Sequence, residues 1–542
     1  MAYGVTESTG KRDIIILAGI IIFCLCLLLV NIKQPWIGMD GLHGVKRSIE
    51  AKNLLRYGFL DINLGLSNNY EVVEDIKDLH YYQHHPPLNS ILIGIVFSIF
   101  GVSEISARIL PIFFTILSIV LIYKIANYVR GRHVALMSAF IFSIMPATTY
   151  WGNTPSYQPL TLFFILLTLF LYINWMKNRS TGKFILMIFV YFISLMCDWP
   201  SYFLGLLLPI HMIITEKKIF PLRKEAVLIP LVTVCSFSLF LYYVYIVQPE
   251  EITSLFTQLK IYLSMVDKPV GTIDTTHGGE FLDFTMKQFF AKNLRFATLL
   301  FTYPALILSL FGIYITVKDI KHERETGRTL IPLVLLFLAF LYNAIFYRSV
   351  FIHNWWLFYF GAPIAILSGI AIDGIIRKNM AGEKPFWDFP VSSGYVFMLV
   401  LLLIPAFLNF KDFHGMQRKI LPGDRHESVT LTENVSGQLR SNTSGSDVII
   451  TNLPTRGTLR GPQVAFYSER KIIGNIDSVK ELQKTMNHEG DHQYIFFLFD
   501  DNPLNDPEVE ALRKELSENY SFRTLKVEGY KFKLFSLLSL QP

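Results

Sequence analysis

The residues with the most chemical reach lie in short polar stretches between long apolar runs. The first stretch is Met39-Asp40-Gly41-Leu42-His43-Gly44-Val45-Lys46-Arg47-Ser48-Ile49-Glu50. Leu42, Val45 and Ile49 recur at helical spacing and share one face. Asp40, His43, Arg47 and Glu50 fall on the other. A carboxylate placed beside an imidazole and a guanidinium can take a proton from an attacking hydroxyl, while the arginine grips a phosphate through two N–H groups. A plain reading fits the same pattern: Asp40 as a helix N-cap on a solvated polar face.

The second stretch is His84-His85-Pro86-Pro87-Leu88. A residue before proline is driven to an extended backbone, and paired prolines suit a helix start, so His85 is presented at a fixed point near the interface. Histidines wetted among headgroups are the plain alternative. Three later turns add polar groups on the same side. Tyr150 to Pro159 carries Asn153 and Gln158, Asp198-Trp199-Pro200 carries a carboxylate, and Tyr347 to Trp356 carries Arg348 and His353. Their Tyr and Trp residues are expected at a membrane interface. Arg348 stands opposite the basic loops described below and is a candidate for an anionic headgroup. Thr276-His277-Gly278-Gly279-Glu280 reads as a hinge or a linker.

These groups need a scaffold, and the composition says which. The chain is 52% hydrophobic, 14% aromatic and 17% charged, against about 25% charged in a soluble domain. Apolar runs alternate with short charged loops, so most of the chain is solvated by lipid. The net charge of +6 sits largely in those loops and is a topology signal, not a nucleic-acid footprint. Cys24, Cys26, Cys197 and Cys235 lie in or beside apolar runs and form neither a disulfide framework nor a metal spacing. The first run, 14–32, is long enough to span and lacks a signal-peptide cleavage site.

Eleven spans are expected, at 14–32, 105–128, 134–150, 159–175, 184–198, 201–215, 226–247, 298–317, 330–346, 357–376 and 391–409. The Lys- and Arg-rich segments around 11–12, 130–132, 177–183, 217–224, 318–328 and 377–384 then fall on one side, which the positive-inside rule makes cytoplasmic. Loops 33–104 and 248–297 and the tail lie outside. Asn89–Phe100 is apolar, yet a full span there would invert every later loop, so it is expected to be interfacial or re-entrant. The expected fold is mainly α, a polytopic helical bundle over 1–410 with a small extracytoplasmic α/β domain over 411–542. Asp447–Asn452, Gln463–Ser468, Gln493–Asp500 and Lys531–Leu538 read as strands. Ser478 with Glu481, and Asp506 before Pro507, read as helix starts.

An outer-loop Asp after the first span, then His84-His85-Pro86-Pro87-Leu88, Phe100-Gly101-Val102-Ser103-Glu104 and Ala107-Arg108-Ile109-Leu110-Pro111, resembles the GT-C membrane glycosyltransferases. The likeness is greatest to the branch of protein O-mannosyltransferases and aminoarabinose transferases. It covers roughly 14–410, with 84–130 its most specific part. The resemblance implies inverting transfer from a sugar on a polyprenyl or dolichyl phosphate to an extracytoplasmic protein, lipid or polysaccharide, in a plasma or inner membrane. Asp40 falls on the family's base position and His85 on the basic residue near the lipid phosphate. Arg47, Arg348 and His353 are further candidates for that phosphate, and His43, His84, Gln158 and Asp198 for support. The partners are thus the lipid-linked donor, an acceptor of unassigned class and membrane lipid, with no nucleic acid.

The chain departs from the family where relatives carry an acidic residue at its Gly41, Asp or Glu at its Gln158 and Arg at its Asn153. No cofactor is assigned; a divalent metal stays open but is disfavoured by the missing second carboxylate, because hard cations want several oxygen ligands. Two other functions compete. A transporter of lipid-linked sugars wants ionisable groups at the midplane and inverted repeats, whereas here the charges cluster at the rim. A non-catalytic scaffold on the same fold is the other, suggested by Gly41 and Gln158.

Overall fold

A computed structural model describes residues 10–36, 38–217, 223–262, 284–322, 326–380, 391–418, 431–445, 447–452, 461–474, 476, 478–488, 494–499, 507–527 and 530–537. The Thr276–Glu280 stretch lies outside them. By contacts the chain divides into two compact units. One holds residues 1–32, 83–89 and 108–414, and the other 33–82, 90–107 and 415–542. Most of the loop 33–104, all but residues 83–89, therefore groups with the tail.

The first unit is helical. Its helices are α1 (Lys11–Leu28), then, past the first outer loop, which contains α2 (Gly38–Tyr57) and most of α3 (Leu88–Phe100), α4 (Glu104–Arg130), α5 (Arg132–Ile144), α6 (Pro146–Trp151), α7 (Tyr157–Asn178), α8 (Thr181–Leu195), α9 (Leu204–Glu216), α10 (Lys224–Val247), α11 (Glu250–Tyr262), α12 (Met286–Phe301), α13 (Tyr303–Lys321), α14 (Thr326–Ile345), α15 (Tyr347–Ile352), α16 (Gly361–Met380) and α17 (Val391–Arg418). In lipid each apolar segment must satisfy its backbone internally, and a helix does so without a partner. Among the described residues six helical segments are long and apolar enough to cross a membrane: α4, α7, α10, α13, α14 and Asn354–Ile376. Every one of the eleven expected spans contains a helix. The chain is an integral membrane protein.

Two expected spans are interrupted. The run 134–150 is two helices, because Pro146 cannot supply an N–H and Met145 before it is extended (φ −60°, ψ 132°). The run 298–317 straddles Thr302, whose φ of 69° and ψ of 148° end α12 just before the next helix begins at Tyr303, with Pro304 in its first turn. The 13 residues of α3 extend about 20 Å at 1.5 Å per residue, short of the roughly 30 Å hydrocarbon core.

Close helix contact comes from small residues, since lipid offers no hydrophobic gain for association. A Cβ on Gly312 of α13 would fall 2.0 Å from the Leu367 carbonyl oxygen of α16, and one on Gly369 would fall 2.6 Å from Ser138 Oγ of α5. Trp151, Tyr172, Trp175 and Phe358 fill the core between helices, while Ile15, Phe189, Val234 and Phe407 face outward as lipid contacts.

In the second unit the tail is an α/β fold. Its elements are α18 (Leu431–Asn442), β1 (Val448–Thr451), α19 (Gly461–Ser468), β2 (Lys471–Ile473), α20 (Val479–His488), β3 (Tyr494–Phe499), α21 (Pro507–Asn519), β4 (Phe522–Val527) and β5 (Tyr530–Ser536). The sheet order is β2-β1-β3-β5-β4. β1 is parallel to β2 and β3, with Ile449 opposite Ile472 and Ile495; β5 is antiparallel to β3 and β4. Alternate strand residues pack on α18 and α19 through Ile449 and Phe497, and on α20 and α21 through Ile450 and Phe496. The expected helix starts stand: Ser478 Oγ accepts from Glu481 N at 3.3 Å. The expectation of a strand over Gln463–Ser468 is overturned. It is α19, and the strand is the adjacent β2. A short apolar run such as Val464-Ala465-Phe466 fits either period, and Pro462 in the first helical turn decides for helix.

Candidate active site

The paired prolines act as expected: α3 opens at Leu88 and His85 stands just before it. His85 Nδ1 lies 2.9 Å from Asp198 Oδ1. Asp198 is 2% exposed. It precedes the turn Trp199–Phe203 with an extended backbone, and Pro200 holds that turn's start. Tyr359 donates its hydroxyl to Asp198 Oδ2 at 3.5 Å. A carboxylate only accepts, so His85 donates from Nδ1 and its Nε2 is the nitrogen left for a ligand. The imidazole stacks on Tyr157 at 4.4 Å between centroids. A buried carboxylate behind a half-buried imidazole fixes the ring and turns its Nε2 toward a ligand, which is what a site for an anionic oxygen needs.

The strap that carries His85 is fixed on both sides. His84 Nε2 lies 2.9 Å from Ser254 Oγ and 3.7 Å from Glu251 Oε2. Trp199 Nε1 donates to the His84 carbonyl at 3.1 Å. Tyr243 donates to Gln83 Oε1 at 2.8 Å, and the Gln83 N–H donates to Glu251. Burial pushes the Glu251 carboxyl above its ordinary range, the Gln83 N–H opposes this and the charge of Glu250 adds to it. Glu251, Ser254, Tyr243 and Tyr359 carry no sequence motif, and only their distant pairing reveals them. Tyr157 was legible only as an interfacial aromatic.

The other expected residues are placed as follows. Gln158 opens α7 beside Tyr157, and its Oε1 is buried without a hydrogen-bond partner among the described residues. Asn153 caps the end of α1, donating to Leu28 O at 2.9 Å and Val30 O at 3.2 Å. That explains a small amide there: it satisfies carbonyls past the helix end. Arg348 on α15 is half-buried and has no ion-pair or hydrogen-bond partner among the described residues. His353 stacks on Trp355 at 3.9 Å, and Trp355 packs edge-on against Trp151.

Asp40 lies in the first turn of α2, and its side chain is outside the described residues. His43 follows one turn on and is half-buried. Beyond it the helix has no solvated face. Arg47 and Glu50 are 5% and 0% exposed and pair at 2.8 Å, and Ser90 donates to the second oxygen of Glu50. Gly41 has a steric reason: a Cβ there would meet the Trp36 carbonyl carbon at 2.8 Å, and one on Gly44 would meet the Trp36 ring at 2.1 Å. An acidic residue at 41 is therefore incompatible with this packing.

A family model described as dolichyl-phosphate-mannose-protein mannosyltransferase matches residues 84–243, the stretch that contains His84, His85, Gln158, Asp198 and Tyr243. No curated protein matches the chain by sequence. Among solved structures, ArnT from Cupriavidus metallidurans bound to undecaprenyl phosphate superposes with TM-score 0.61 at 11% identity, over 96% of this chain and 98% of that one. The apo state of the same protein gives TM-score 0.60 at 10% identity, over 97% and 98%. The archaeal oligosaccharyltransferase AglB from Archaeoglobus fulgidus, in complex with an inhibitory peptide and a dolichol-phosphate, gives 0.56 at 11% identity, over 97% of this chain and 74% of that one. Such identities establish a shared fold, and the family match lies inside it. The chain thus has the fold of ArnT and AglB, and its segment 84–243 is similar to the dolichyl-phosphate-mannose-protein mannosyltransferase family.

Proposed function

We propose that the protein transfers a sugar from a polyprenyl- or dolichyl-phosphate donor to an acceptor on the extracytoplasmic face, with inversion at the anomeric carbon. The observation that carries the reading is the His85–Asp198 pair, within the segment that matches the mannosyltransferase family. His85 holds the donor phosphate through Nε2, and the buried Asp198 carboxylate keeps its ring oriented. Arg348, uncommitted among the described residues, and His353 are the further groups proposed for the phosphate.

The chemistry follows from charge. The acceptor oxygen attacks the anomeric carbon and the bond from that carbon to the phosphate oxygen breaks. The electron pair leaves on the lipid phosphate, and the acceptor proton passes to the Asp40 carboxylate. Phosphate is a good leaving group, so donors at its oxygens suffice and no acid is needed. The bias of Lys and Arg to one set of loops supports a cytoplasmic N-terminus with the chemistry on the opposite face.

The test is transfer of radiolabelled sugar from polyprenyl phosphate by membranes holding the full chain. Asp40→Asn is expected to abolish transfer and leave binding of undecaprenyl phosphate unchanged. Wild-type turnover in that variant removes Asp40 from the mechanism, and unaltered lipid binding in His85→Gln removes His85.

A further inference from the structure

Glu469 ends α19 in a left-handed conformation, φ 57°, which a residue with a Cβ adopts only at a cost. Its N–H closes the helix onto Ala465 O at 2.8 Å. Its carboxylate is surrounded by cations. Lys52 hydrogen-bonds Oε1, Arg56 approaches the same oxygen at 3.8 Å and Arg440 reaches Oε2 at 3.3 Å. Lys52 and Arg56 are four residues apart on α2 and so present to one side. Lys52 also lies 5.5 Å above the ring of Phe466. Two residues before Glu469, Tyr467 accepts from the Trp36 N–H at 2.8 Å and donates to the Glu104 carboxylate.

Helix α2 is thus held at both ends by one short helix of the tail. Trp36 precedes it, and Gly41 and Gly44 in its first turns rest on Trp36. Lys52 and Arg56 lie near its other end. The ties are directional, charge-assisted hydrogen bonds between partly buried groups, with Lys52 17% and Glu469 21% exposed. Interactions of this kind specify an orientation more than they add stability.

We infer that Tyr467 and Glu469 are positioning residues for α2, and that the tail domain sets the pose of the helix carrying Asp40. The catalytic part of this inference rests on the reading of Asp40 as base; the clamp itself does not. A tail that were only a passenger would leave α2 unchanged when these side chains are altered.

The experiment uses the full chain in lipid nanodiscs. Hydrogen exchange is read at residues 38–57, with β1 amides as a control for tail folding. Turnover is read with dolichyl-phosphate mannose as the probe donor. Lys52→Met and Glu469→Gln are each expected to speed α2 exchange about three- to tenfold and leave β1 unchanged. The double variant is expected to be no worse than the worse single, as one shared interaction requires. The same variants lower kcat with the donor KM unchanged, and Lys52→Arg restores both. Unchanged α2 exchange in Glu469→Gln overturns the clamp, and faster exchange with wild-type kcat overturns its role in catalysis. Failure of the wild type to use the probe counts against that donor while exchange still decides the clamp.

Discussion

His85 and Asp198, 113 residues apart in sequence, share a hydrogen bond of 2.9 Å that joins the strap before α3 to the turn before α9. The carboxylate is closed to solvent and the imidazole is not. Asp198→Asn keeps an acceptor at the same place and removes the charge. A hydrogen bond to a charged group contributes about 1.5–3 kcal/mol, so binding of undecaprenyl phosphate is expected to weaken roughly tenfold to a hundredfold. His85→Lys restores a cation and is expected to retain most of the affinity. Titration of the lipid against purified variants checks both.

Gly41 is expected to tolerate no side chain. Placing Asp there drives a Cβ to 2.8 Å from the Trp36 backbone, and such overpacking costs about 1–3 kcal/mol. A thermal melt of the detergent-solubilised Gly41→Asp variant is expected to fall by several degrees. A variant as stable as wild type shows that α2 and Trp36 separate at little cost.

Arg47 and Glu50 form a buried pair that is stable only as a pair. Glu50→Ala leaves a buried guanidinium without its carboxylate and is expected to cost about 3–5 kcal/mol. Arg47→Met combined with Glu50→Gln removes both charges and is expected to cost less than the sum of the single changes. Denaturation of the three variants, compared at one pH, tests this.

Glu251 gives the fold a pH dependence of known sign. Its carboxyl titrates above its ordinary range in the folded protein, chiefly through burial. The folded state therefore binds more protons in that window than the unfolded chain. Its contribution to stability is full below the ordinary glutamate value and declines as pH rises through the raised one. Glu251→Gln is expected to flatten the decline of the melting profile as pH rises above the ordinary glutamate value. An unchanged slope assigns the effect to another group.

Much of the bundle was legible in advance, and the reason is local. Each apolar run in lipid must close its own backbone hydrogen bonds, so hydropathy alone marks where a helix is. Capping groups and prolines act within a turn, which is why Ser478, Pro507 and the Pro86–Pro87 helix start read correctly.

What the sequence could not decide depends on neighbours far along the chain. Gln463–Ser468 fits both a strand and a helix until the sheet is built beside it. Arg47 and Glu50 read as a wet polar face because helical spacing reports which residues share a side and not what covers that side. Asp198 was legible as a supporting carboxylate but not as the partner of His85, Glu251 had no signal, and Glu469 finds Lys52 across 417 residues. Hydropathy and turn chemistry are enough to write a lipid-solvated helical chain with polar groups at its turns. Which of those groups meet is settled by the fold, because pairing two charges depends on the packing of whole helices and no local period encodes it.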